Sequence, residues 1–262
     1  MRRLAALFLA LACALGALMS LPGAASAQRT GPRLITDLSQ SRVDIEYTFA
    51  GADIMLFGAI DRASTLRNRQ LDLVVVVRGP SHPLTVRKKE RVAGVWLNTR
   101  SVRFHTTPSY YAISSTRPIE DIVDPKTAAI YEFGIDNLHF SPASTERSAQ
   151  EIQEFQTGLV DLRHRGGLYV ENPAGVRVVE GVLFRTSARL PGDAPVGEYT
   201  ASVFLIADRQ VIATTSVPLT VGKTGFEQAV YNFAIDQSLA YGLLAVVIAL
   251  ASGWGVAAIM RR

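Results

Sequence analysis

A chain of 262 residues with 27 lysines and arginines against 23 aspartates and glutamates carries a formal net charge of +4. Four of the basic residues, Arg2, Arg3, Arg261 and Arg262, sit at the two ends, and without them the balance is 23 to 23. The high pI therefore reports the two ends and is no evidence for nucleic-acid binding, and a single cysteine, Cys13, excludes a disulfide framework.

Met1-Arg2-Arg3 leads into an apolar run from Leu4 to about Leu21, followed by Pro22-Gly23 and then Ala25-Ser26-Ala27. A positive start, an apolar stretch and an A-x-A site are the three parts of a secretory signal, so 1–27 is expected to be cleaved before Gln28. An uncleaved N-terminal anchor is the alternative. Cys13 lies inside the apolar run, away from any lipidation pattern, so the mature body has no cysteine and is held by its core alone.

Residues 28–124 read as an N-terminal β-rich extracytoplasmic region. Val43 to Tyr47 alternates apolar and polar, as a half-buried strand does, and Ile54 to Ile60 follows the interruption at 49–53. Leu71 to Val77 is an unbroken β-branched run ended by Gly79-Pro80, which predicts a central strand buried on both faces. Leu84-Thr85-Val86 and Val102-Arg103-Phe104 read as further strands, with Pro83 and Pro108 as punctuation.

A helix plus a second sandwich-like region is expected over 125–222, with a candidate boundary near Pro125. Lys126 to Phe133 suits a short helix. Ala149, Ile152, Phe155, Leu159 and Leu162 fall on one face of a longer one that stops at Gly166-Gly167; its start is expected near Ser141 or Ser144, with a capping box at Ser148 to Glu151 as the alternative. Val176–Val179 and Val182–Ser187 then pair as strands. Gly197 to Ile206 turns through Ala207-Asp208-Arg209-Gln210 into Val211–Thr215 and Leu219–Val221, an order similar to the closing strands of immunoglobulin-like modules. The fold class expected is therefore mainly β: one or two immunoglobulin-like β-sandwich modules with one amphipathic helix in the middle.

Phe226, Val230 and Phe233 recur at helical spacing in a neck over 223–238. Leu239 to Met260 carries no charge, and at ~1.5 Å per residue it is long enough for a hydrocarbon core of ~30 Å. It predicts one C-terminal transmembrane helix, with 261–262 as a cytoplasmic tip by the positive-inside rule and the bulk of the chain in the periplasm of a bacterial inner membrane. Ala245, Ala249, Gly253 and Ala257 repeat every fourth residue, a small-residue seam for a homodimer or a multispan membrane partner such as a transporter.

No catalytic, cofactor-binding or metal-binding set is legible. His82, His105, His139 and His164 have no zinc spacing, and no nucleophile elbow or phosphate loop occurs. The chain is read as no enzyme, with no cofactor and no nucleic-acid partner; a hydrolase ranks last. The densest unusual segment is 78–111, where Arg87, Lys88, Trp96, Tyr110 and Tyr111 form a candidate interaction surface for an anionic or apolar partner. The plain alternative is a basic strand edge with Trp96 in the core.

Several segments together resemble the alphaproteobacterial putative transmembrane protein family. They are Tyr47-x-Phe49-x-Gly51 with Phe57-Gly58-Ala59, Val75 to Pro80, Arg87-Lys88-Lys89 with Arg91 to Asn98, Pro108 to Ala112, Leu183-Phe184-Arg185, Pro195-x-Gly197-x-Tyr199 and Tyr241-Gly242-Leu243. The resemblance implies a signal, body and anchor layout and a role beside envelope transport systems, of the sulfite-exporter type. It implies no catalytic residues. The expected function is an accessory or interaction component of such a system; the alternative is a periplasmic module that binds or senses a small anion or envelope component.

Overall fold

The structure, a computed structural model, describes residues 32–45, 49–61, 69–143, 147–223 and 226–260. The expected signal 1–27, Tyr47 and the terminal Arg261 and Arg262 lie outside the described residues.

The body is mainly β. One sheet holds β1 (Arg33–Leu38), β3 (Gly51–Asp61), β10 (Leu183–Pro191) and β9 (Arg177–Val179), in that order. The second holds β2 (Arg42–Ile45), β12 (Gln210–Lys223), β11 (Gly197–Ala207), β4 (Leu71–Arg78), β7 (Tyr111–Ser115) and β8 (Tyr169–Asn172). β1 lies against β12, so the sheets curl toward each other along one side into a half-barrel. Leu38, Ile54, Leu56 and Leu190 from the smaller sheet share one core with Val75, Val77, Ala201 and Leu219 from the larger.

The apolar run Leu71 to Val77 has the place its composition predicts. β4 pairs with β11 on one side and β7 on the other, and residues 72–77 are all buried. Its second face lies under a helical segment made of α1 (Ile119–Ile122), α2 (Pro125–Tyr131) and a 3-10 turn (Ile135–Asn137). There Phe133 meets Phe204 edge-on at 4.9 Å. Asp124 caps α2 by accepting from the Thr127 N–H at 2.7 Å, with Pro125 in the first turn, where its missing N–H costs nothing.

The candidate boundary near Pro125 does not separate two bodies. β3 pairs with β10 and β4 with β11, so both sheets are built from strands on each side of it, and 28–124 and 125–222 contribute to a single body. Two element bounds are corrected. The long helix α3 (Ala149–Arg165) starts at the later alternative, because Ser148 accepts from the Glu151 N–H at 3.2 Å and caps it there. β12 runs unbroken through Pro218, which pairs with Thr200, where two strands were expected.

The largest departure is the hairpin of β5 (Ser81–Val92) and β6 (Val95–Pro108), which pair only with each other among the named strands. Ala93 at φ 47° and Gly94 at φ 89° make its two-residue turn, the double positive φ of a type I′ connection. At the other end of the chain, α4 (Phe226–Asp236) passes through Gln237 into α5 (Ser238–Met260). The Gln237 N–H donates to Phe233 O and the Tyr241 N–H to Gln237 O, so helical hydrogen bonding is continuous through the junction.

Candidate interaction surface

The hairpin leaves the body as an extension of the β4–β7 ladder. Past the Arg78–Tyr111 pair, the Gly79 N–H donates to Tyr110 O and the Ser109 N–H to Pro80 O, both at 2.9 Å, before Ser81 pairs with Pro108. Four fully buried tyrosines brace this root. Tyr110 donates to Arg189 O at 2.9 Å, Tyr111 to Glu132 O at 2.7 Å, Tyr169 to Pro108 O at 2.7 Å and Tyr199 to Pro195 O at 2.6 Å. Three of the hydroxyls reach carbonyls far away in the chain and Tyr199 bonds back to the approach of its own strand, so burial of the rings leaves no orphan donor. Burial raises all four phenols above the ordinary range, Tyr199 to about 12.

Tyr110 and Tyr111 are thereby corrected: they are core residues of the root and present no surface to a partner. Only an aromatic-next-to-cation composition linked them to Arg87 and Trp96, and composition does not tell a buried ring from an exposed one.

Beyond the root the ribbon has two unlike faces, because successive side chains alternate. On one, Leu84, Val86 and Lys88 lie opposite Phe104, Val102 and Arg100. This face is partly covered and its charges are paired. Lys88 bonds Glu154 of α3, Arg100 bonds Glu90 at 2.9 Å, and residues 141–143 run beside β6 through the His105–Ser141 and Ala143–Arg103 backbone bonds. The Arg100 and Thr99 hydrogen bonds hold the Glu90 carboxyl below its usual value, and the Lys88 hydrogen bond does the same for Glu154. Lys88, expected to share a partner surface with Arg87, lies on the opposite face and belongs to this paired set.

The other face is open. Arg87, Lys89 and Arg91 follow one another along β5, and Arg103 lies opposite Thr85 on β6; all four are exposed and make no ion pair among the described residues. Trp96 stands directly opposite Arg91 and is 66% exposed. At the tip Val92, Val95 and Leu97 are exposed as well, so the ribbon ends in a small apolar cap edged with unpaired cations. The alternation Arg87-x-Lys89-x-Arg91 was the signal in the sequence, and without the turn at Ala93-Gly94 it could not be assigned to one face.

Two other features were not anticipated. Ile35, Phe57, Val179 and Leu183 leave the outer face of the smaller sheet apolar and exposed, over a shallow groove of about 500 Å³. A half-open cleft of about 510 Å³ lies near the β11–β12 turn, with Glu120, Asp136, Glu171 and Arg209 among its polar lining. Among the described residues, no group of three or more His, Cys, Asp and Glu side chains gathers that could hold a metal.

α5 contains a 20-residue stretch, Ser238–Ala257, long and apolar enough to cross a membrane, and none of it is buried against the body. Ala245, Ala249, Gly253 and Ala257 are all exposed on it.

Comparison with solved structures finds a likeness to the crystal structure of Spo0M, sporulation control protein, from Bacillus subtilis. It is 9% identical, covers 79% of this chain and 55% of that one, and has a TM-score of 0.26, too slight to bear on fold or function. The chain thus spans about half the length of that protein. No curated protein matches the chain. The apolar C-terminal helix beneath a β-rich body accords with one further finding, a match over residues 33–262, by which the chain belongs to the family described as "Putative transmembrane protein (Alph_Pro_TM)".

Proposed function

We propose that the protein is a single-pass inner-membrane interaction module. In this reading α5 crosses the bacterial inner membrane, the C-terminus is cytoplasmic, and the β body stands in the periplasm as an accessory component of an envelope system, of transport type. The observation that carries it is α5 itself: a soluble protein would not leave a predominantly apolar, uncharged helical stretch of 20 residues uncovered. The seam Ala245, Ala249, Gly253 and Ala257 is the place on that helix where a homodimer partner or a transporter helix approaches. The apolar outer face of the smaller sheet supports a protein partner for the body as well.

The body itself we read as an immunoglobulin-like sandwich with two insertions. The order β1-β3-β10-β9 against β12-β11-β4-β7 corresponds to the A-B-E-D and G-F-C-C′ sheets of that fold. Tyr199, three residues into β11 and bonded back to Pro195 O, has the position and bond of a tyrosine corner. The hairpin and the helical segment are then insertions before and after the C′ strand. Small-anion sensing is less well supported, because the free cations are strung along an open ribbon with no enclosing cavity.

The test is membrane association and topology in cells. The full chain should resist alkaline extraction, and a cysteine placed in the body at Asp193→Cys should react with an impermeant maleimide from the periplasmic side. Extraction with soluble proteins, or labelling only after lysis, would overturn the reading. Ala249→Leu or Gly253→Leu should weaken a detergent-stable association without lowering expression; an unchanged oligomer and pull-down profile would remove the seam.

A further inference from the structure

We infer that the β5–β6 hairpin is a second membrane contact: its tip enters the interface of the bilayer that holds α5, and its open face takes anionic lipid headgroups. The inference rests on the reading of α5 as a membrane anchor.

Three observations carry it. The first is direction. β4 and β12 both pair antiparallel with β11, so they run the same way, and Thr200 of β11 lies opposite Arg78 on one side and Pro218 on the other. The hairpin leaves the end of β4 and the chain leaves the end of β12, so both depart from the same end of the sandwich. Gly197, opposite Val221, lies against Pro80 at the hairpin's root, which ties the two exits together. The cleft beside Arg209 is at the opposite end.

The second is reach. Twelve residues of β5 extend roughly 40 Å. Between the body and α5, the eleven residues of α4 supply a length of about 17 Å. A ribbon that continues the β4 direction is long enough to touch the surface into which α5 descends.

The third is chemistry. Val92, Val95, Trp96 and Leu97 at the tip are the kinds of side chain that settle at the headgroup level, Trp above all. Directly behind them Arg87, Lys89 and Arg91 line one face with no carboxylate paired to them among the described residues, while the cations of the other face are bonded to Glu90, Glu151 and Glu154. A protein partner would need a matching acidic groove. An anionic leaflet supplies that charge without one, and each Lys or Arg close to it is worth about fivefold in association.

The experiment uses the full chain carrying Trp254→Phe, which leaves Trp96 as the single tryptophan of the sequence. It is reconstituted into vesicles of phosphatidylcholine with or without phosphatidylglycerol, using brominated acyl chains as quenchers. The expected result is a blue-shifted, quenched Trp96 in the anionic vesicles, and a docked-to-free ratio lowered on the order of a hundredfold by Arg87→Gln, Lys89→Gln and Arg91→Gln together. The first measurement needs no substitution in the hairpin, so it stands even if that triple variant folds poorly. Vesicle flotation with water-like, unquenched Trp96 emission overturns the hairpin contact and leaves the α5 anchor intact. Equal quenching in neutral vesicles overturns the headgroup assignment. Loss of flotation overturns the anchor and the hairpin contact together.

Discussion

The root and the tip of the hairpin are drawn from one short stretch, 78–111, of similar composition, yet they obey opposite rules. At the root, Tyr110, Tyr111 and the neighbouring Tyr169 and Tyr199 are buried and each hydroxyl has a carbonyl to donate to. At the tip, Trp96 lies in solvent and its cationic neighbours are unpaired among the described residues. The difference teaches that aromatic residues beside cations do not by themselves mark a contact surface; what decides is whether the ring is buried with its own hydroxyl bonded inside the fold.

The sharpest way to break that contrast is to delete a root aromatic. Tyr110→Ala removes a buried ring that sits 5.8 Å from Tyr199, together with the bond to Arg189 O. It should cost about 3–5 kcal/mol, the range for losing a large core aromatic. Denaturant unfolding of the full chain in micelles measures it, and a loss under about 1 kcal/mol would mean that the root is not core.

Next in size is the glycine at the branch point. A Cβ at Gly79 would lie 2.6 Å from Ser109 Oγ, 2.9 Å from Tyr199 Cε1 and 3.0 Å from Tyr110 Cβ. Gly79→Val should therefore cost about 1–3 kcal/mol by overpacking. The same substitution at Gly94 meets nothing within 4 Å, and its penalty comes from the backbone alone, at φ 89°. Comparing the two variants by thermal unfolding separates crowding at the root from turn strain at the tip.

What could be foreseen follows from how local each signal is. The run Leu71–Val77 declares a central strand because its burial needs no knowledge of its partners. The β11–β12 turn at Asp208-Arg209 declares itself through a polar interruption between apolar runs. The stripe of α3 foretells Phe155 and Leu159 in the core, but Leu162 is 64% exposed because the helix only partly faces the body. The hairpin was hidden for a different reason. Its two strands are mostly polar outside their base, and Ala93-Gly94 is not one of the turn pairs that announces a type I′ connection. The tyrosine bonds were hidden because Tyr110–Arg189 and Tyr169–Pro108 join residues far apart in the chain.

A smaller effect should separate the two faces of the ribbon. On the packed face Glu90 and Glu154 are held below the usual carboxylate value of 4.5 by Arg100, Thr99 and Lys88. A carboxylate whose folded value is depressed stabilises the fold above its unfolded value, and that contribution is lost as the pH falls through the folded one. Acidification below about 4.5 should therefore loosen the first turns of α3 from the hairpin, seen as faster amide hydrogen exchange there. High salt at neutral pH should act in the same direction and less strongly, since these pairs face solvent in part.

The smallest expected change in stability is at the tip, and it tests the comparison from the other side. Trp96→Ser removes a large ring, yet that ring lies mostly in water opposite Arg91 and shields no buried group. The unfolding free energy should change by no more than about 0.5 kcal/mol, the scale of surface substitutions, where the same loss of ring at Tyr110 costs several times that. A drop of about 2 kcal/mol or more would mean that Trp96 packs against the protein, and the hairpin would then be a structural clasp. An unmoved midpoint means that the exposed ring contributes nothing to holding the body together. Retaining so large an apolar group in solvent then has to be explained by what it touches outside the protein, which is the property that separates the tip from the root.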